Sequence, residues 1–144
     1  MYERILVATD GSPSADAALE QAIGLASQLD STIHGVAVVE TRTAYDNDIV
    51  DPAEVTARLR ERAEATLEQL SDRARSAGVP VETTVRSGVP HEAVLDVVDE
   101  RKVDLVVLGA RGHSDFRGAL LGSTVDAIVR LAPVPVLVVD GASD

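Results

Sequence analysis

Residues 105–125, Leu-Val-Val-Leu-Gly-Ala-Arg-Gly-His-Ser-Asp-Phe-Arg-Gly-Ala-Leu-Leu-Gly-Ser-Thr-Val, form a short apolar run, a glycine-punctuated segment and the opening of a helical pattern. The run Leu105 to Leu108 is apolar on both faces, as suits a strand of a parallel sheet covered by helices on each side. The carboxyl ends of such strands point into the crevice where doubly wound sheets bind ligands. Gly109 and Gly112 follow at the rim, and glycine can adopt positive φ and bring main-chain N–H groups close to a ligand. Gly122, Ser123 and Thr124 open the next helix, whose first N–H groups lack intrahelical partners and sit at the positive end of the helix dipole. Together these parts suit a cradle for phosphate. They equally suit a tight turn followed by Ser123 as an ordinary N-cap, and the segment alone does not separate the two. It is not a Walker loop, because Gly122 is followed directly by Ser123 with no lysine, and the chain has no Gly-x-Gly-x-x-Gly.

Over its whole length the chain alternates strand and helix signals without internal repeats or low-complexity linkers. Arg4 to Ala8 is a buried strand; Ser12-Pro13 supplies an N-cap and a first-turn proline for a helix with Leu19, Ile23, Ala26 and Leu29 on one face. Thr32 to Val39 is the second strand, followed by the longest polar connection, Glu40 to Val50, a candidate lid. Asp51-Pro52-Ala53-Glu54 resembles a capping box, and Val55, Leu59, Ala63, Leu67, Leu70, Ala74 and Ala77 trace the longest helix, which stops at Gly78. Val81 to Arg86 alternates as an edge strand does. A helix from Pro90 carries Val94, Val97 and Val98, Val103 to Leu108 is the fourth strand, and the helix after Gly122 carries Ile128 and Val129. A last strand covers Val134 to Val139. Five strands and four helices in alternation predict one α/β, doubly wound, Rossmann-like domain over residues 1–144. Its five-stranded parallel sheet, with helices on both faces and strand order 3-2-1-4-5, places the switch point between strands one and four.

Three motifs in order, Ile5-Leu6-Val7-Ala8-Thr9-Asp10-Gly11-Ser12, then Gly109-x-x-Gly112 with nine residues before Gly122-Ser123, then Pro133 to Val139, are similar to those of the universal stress protein family and its ATP-binding signature. The resemblance spans essentially the whole chain. It implies a doubly wound domain, a dimer, and ATP held at the carboxyl ends of strands one and four. Asp10 would contact the adenosine part, Val38 would read the adenine edge through its backbone, and Thr9 and Leu108 would line the site. Gly109, Gly112, Gly122, Ser123 and Thr124 would cradle the phosphates, joined by Arg111 from among the loop cations Arg111, His113 and Arg117. Magnesium would arrive with ATP, on phosphates and on Asp10 or a helix hydroxyl.

Asp10 stands without the aspartate two positions earlier that a phosphatase nucleophile loop requires, since Ala8 is there. No lysine follows strand five, as a receiver domain would need. No general base is evident, so slow hydrolysis is the most the motifs allow. The last strand is an open apolar edge suited to pairing with a second copy, although Pro135 and the acidic tail 140–144 also suit a guarded edge. The family's other branch acts as a dimer through protein contacts without nucleotide, and that alternative stays open.

Composition bounds the rest. The 144 residues suit one domain, and the absence of cysteine excludes disulfides, thiolate metal sites and a cysteine nucleophile. The spacing of His34, His91 and His113 does not match a metal site. No apolar run reaches the roughly 20 residues of a membrane span, and the start carries no signal-peptide pattern, so a soluble, cytoplasmic protein is expected. With 24 acidic against 13 basic residues the net charge is −11, which argues against nucleic acid as a partner. Such a surface also suits a salt-loving host, where about 1 M salt shortens the Debye length to about 3 Å and relieves self-repulsion.

Overall fold

A computed structural model describes residues 1–40, 52–111 and 121–140. Among the expectations above, the lid at 41–50, Asp51, Gly112, His113, Arg117 and the tail at 141–144 lie outside them. The elements run β1 (Arg4–Ala8), α1 (Pro13–Leu29), β2 (Thr32–Val39), α2 (Pro52–Ser76), β3 (Val81–Ser87), α3 (Pro90–Glu100), β4 (Leu105–Gly109), α4 (Ser123–Leu131) and β5 (Val136–Val139). Every pairing is parallel, and the strand order is β3-β2-β1-β4-β5, as expected.

Strands at the centre must be apolar on both faces, and β1 and β4 are: Ile5, Leu6, Val7, Val106 and Val107 have no exposed surface. Alternation then divides them between two cores. Ile5, Val7, Ile33, Leu105 and Val107 face α1 and α2, where Ala18, Leu19, Ala22, Leu67 and Leu70 meet them. Leu6, Val36, Val106 and Leu108 face α3 and α4, packing on Val94, Val97, Val125 and Ile128. Burying each large aliphatic side chain contributes roughly 1.5–3 kcal/mol, so these two clusters hold the helices to the sheet. Gly35 belongs to the first face for a steric reason: a Cβ there would stand 2.8 Å from Leu70 Cδ2, so α2 crosses β2 where no side chain intervenes.

Some element bounds and faces differ from expectation. Leu29 is 41% exposed and Val129 43% exposed, because each lies at the margin of its helix's apolar stripe. The expected strand from Val103 begins at Leu105, since Val103 still donates its N–H to Val98 O at the end of α3. The last strand is Val136–Val139 and not Val134 to Val139; Pro135 contributes only its carbonyl, to Val106 N, and has no N–H to extend the ladder. Ala77 lies beyond α2 and is exposed.

Candidate functional site

Beyond β1 the chain enters α1 on one face of the sheet, whereas α4, the helix that follows β4, packs on the other. The two neighbouring strand ends therefore diverge, and a crevice of about 200 Å³ opens between them. It is lined by Thr9 and Asp10 from β1, Val36 and Val38 from β2, Leu108 and Gly109 from β4, and Arg111, Ser123 and Thr124 beyond them. Eight of the ten residues singled out from sequence thus share one cleft; Gly122 is buried beside it, and Gly112 falls outside the described residues.

The Asp10 rim is held by local hydrogen bonds. Thr9 N donates to Val36 O at 2.9 Å and prolongs the sheet by one residue. Asp10 Oδ1 accepts from Ser12 N at 2.9 Å, while Thr9 Oγ1 accepts from Gly11 N at 3.1 Å. This Asx turn requires Gly11 at φ 80°, a conformation glycine adopts without cost. Ser12 then caps α1, its Oγ accepting from Ala15 N at 3.2 Å. The turn and the carboxylate's exposed place at the cleft therefore arise together from Thr9-Asp10-Gly11-Ser12.

Gly109 lines the crevice, but its φ is not positive, and its lack of a side chain serves another contact. A Cβ at Gly109 would fall 2.5 Å from the main-chain carbon and oxygen of Ser14, so the glycine lets the start of α1 press directly against β4. The amides after it are also committed within the protein. Ala110 N donates to Val139 O at 2.9 Å, Arg111 N to Ser14 Oγ at 3.3 Å, and Gly122 N to Ala110 O at 2.8 Å. Ser12 Oγ donates to Arg111 O at 3.5 Å, so two nearly buried serines of the α1 start hold both main-chain polar groups of Arg111. The positive φ expected of Gly109 is thus absent, and the Gly122 N–H is taken up by Ala110 O; Gly109 serves packing against α1 and Gly122 caps α4.

The cap has consequences for the opposite wall. Gly122, at φ −67° and ψ 159°, is the N-cap of α4, so Ser123 is the first helical residue and not the cap. A glycine has no side chain to accept from the first turn, and no side-chain capping bond exists here. Asp126 N is the first to bond back into the helix, to Gly122 O at 2.9 Å. Among the described residues no side chain caps the first-turn amides, which lie beside the Ser123 and Thr124 hydroxyls that line the cleft.

Several lining residues escaped the sequence. Pro90 and Val94 come from α3, Val125 from α4, and Ala8, Ala15 and Val36 complete the apolar floor. Alternation with Val38 was the available signal for Val36; nothing local marks Pro90 or Glu40. Glu40 adds a second carboxylate to the Asp10 rim. Among the described residues no group of three or more His, Cys, Asp or Glu is placed to hold a metal ion, and no helix is long and apolar enough to cross a membrane.

Comparison with known proteins agrees with this architecture. The chain is 29% identical to universal stress protein MJ0531 of Methanocaldococcus jannaschii, over 96% of this chain and 82% of that protein. Among solved structures it superposes on hypothetical protein MJ0577 with a TM-score of 0.89 at 25% identity, covering 100% of this chain and 99% of the other. A universal stress protein solved in complex with cAMP superposes with a TM-score of 0.72 at 28% identity, covering 98% of both chains. The model of the universal stress protein family matches residues 1–140, and the chain belongs to that family.

Proposed function

We propose that the crevice binds an adenine nucleotide, ATP carried with Mg²⁺, and that the protein is a nucleotide-responsive module of stress signalling with at most slow hydrolysis. One observation carries this: the Asp10 carboxylate and the uncapped first turn of α4 face one cleft from opposite sides, across an apolar floor of Val36, Val38 and Leu108. The donor set suits such a ligand. Asp10 can accept from ribose hydroxyls or the adenine amino group, and the amides and hydroxyls of Ser123 and Thr124 can donate to phosphate. Arg111 brings a guanidinium into the cleft of a protein whose overall charge is −11, where an anion needs a local cation. Phosphate-borne magnesium would find oxygen ligands in Asp10 or the Thr124 hydroxyl, and it would supply charge neutralisation. The cleft adjoins a second hollow of about 300 Å³ that shares Thr9, Asp10, Val38 and Glu40, giving room for a ligand larger than the first alone. The solved cAMP complex of a family member supports adenine nucleotides as the ligand class.

Titration calorimetry of the full chain with Mg-ATP tests this. Saturable binding that weakens in Arg111→Gln is expected, and absence of binding at any nucleotide concentration would overturn it.

A second reading, a dimer acting through protein contacts without nucleotide, draws on β5. That edge strand leaves Leu137 38% exposed, and we propose that it pairs with a second copy of the chain. Leu137→Lys should then shift the sedimentation of the wild-type dimer to that of a monomer, in the presence or absence of nucleotide. The acidic surface supports a cytoplasm of high salt as the setting, where screening stabilises it.

A further inference from the structure

At the opposite, amino-terminal end of the sheet a second cavity of about 480 Å³ lies under the end of α3, lined by Arg4, His34, Glu82, Glu100, Arg101 and Lys102 among others. Nearly a quarter of the chain's 13 basic residues, its single lysine included, thus meet at one hollow of a strongly acidic protein. We propose that this cavity binds a small oxyanion, a phosphate or carboxylate group, through Arg4, Arg101, Lys102 and the ring of His34.

The charges do not cancel inside the cavity. Glu100 is already neutralised by Arg86, which grips both its oxygens at 2.6 and 3.0 Å. Three cations then face the one remaining lining carboxylate, Glu82, and that residue is loosely engaged. It stands 3.9 Å from Arg101 Nη1 and 3.8 Å from His34 Nδ1, beyond hydrogen-bond reach of either. Arg4 spends one donor on Arg101 O at 3.1 Å, and a guanidinium has five. Lys102 makes no ion pair among the described residues and is held at φ 54°, so the turn after α3 places it at the cavity in a conformation costly to a lysine.

His34 supplies the built part of the site. Its side chain is only 6% exposed, and Nε2 is 2.9 Å from Thr84 Oγ1. A hydroxyl donating to Nε2 leaves Nδ1–H as a donor directed at the cavity, with no partner within hydrogen-bond distance among the described residues. An oxyanion in the cavity would give that donor a partner.

The test is an NMR titration of the isotope-labelled full chain with inorganic phosphate, and in a second arm with succinate, at matched ionic strength. Saturable shifts of the His34 ring and of the Arg101 and Lys102 amides are expected with at least one probe, and the arm that binds more tightly assigns the headgroup. Lys102→Asn, whose new residue tolerates positive φ, should weaken that binding about tenfold, and Arg101→Gln likewise. Shifts at Ser123 to Val125 report the crevice and should be unchanged by either variant, so the two sites fail independently. No saturable shift at His34 with either probe, or affinity unchanged in both variants, would overturn the proposal.

Discussion

The two ends of this sheet are polar in opposite ways. At the carboxyl end, among the described residues, the candidate donors are the main-chain amides and short hydroxyls of Ser123 and Thr124, with Arg111 beside them. At the amino end they are long charged side chains, Arg4, Arg101 and Lys102, around one buried imidazole. The difference follows from chain direction. A parallel sheet sends helix starts to one end and helix stops to the other, so the first end has orphan N–H groups and the second has orphan carbonyls. On the proposals above, an anion at the crevice would be held largely by backbone, whereas one at the lower cavity would need side-chain cations that also cover the end of α3, as Arg4 does at Arg101 O.

Substitutions can separate backbone from side-chain contributions, and the largest effect belongs to the backbone. Gly109→Ala should cost about 1–3 kcal/mol in urea denaturation, because its Cβ would meet Ser14 main-chain atoms that cannot rotate away. Wild-type stability in that variant would break the assignment of Gly109 as the packing contact between α1 and β4. Arg111→Gln should weaken Mg-ATP about tenfold and flatten the salt dependence of binding, with stability little changed. Thr124→Val, which keeps shape and removes the hydroxyl, should cost about 1 kcal/mol of nucleotide affinity by calorimetry.

The smallest effect sharpens the other end. Burial, and next the charge of Arg101, hold the His34 pKa below its ordinary 6.5, with Glu82 opposing and Arg86 adding slightly. As pH falls the unfolded chain takes up this proton first. The stability associated with neutral His34 is thus present above pH 6.5 and is lost as pH drops through 6.5 toward the lower folded value. His34→Gln should flatten that part of the pH–stability curve, measured by thermal melts from pH 7.5 to 5 at fixed salt (roughly the range over which imidazoles titrate).

How much could be read from sequence also differs between the ends. The strand order and the meeting of Asp10 with Ser123 and Thr124 follow from apolar runs and from helix-start residues at fixed offsets, which are local signals. The role of Gly109 was legible only in part: sequence shows that a position lacks a Cβ, not which neighbour occupies the space, and Ser14 lies 95 positions away along the chain. The same limit holds at Gly122, whose N–H is taken up by Ala110 O across residues that sequence does not bring together. Pro90, Val94 and the entire lower cavity left no motif, because Arg4, His34, Glu82 and Lys102 are joined only by strand register.

A crystal structure of the full chain grown with Mg-ATP would show whether the crevice between β1 and β4 holds the nucleotide. The adenosine is expected between Asp10 and Val38 and the phosphates at the first turn of α4, beside Ser123, Thr124 and Arg111. Nucleotide bound elsewhere on the molecule, or a crevice empty at saturating Mg-ATP, would contradict it.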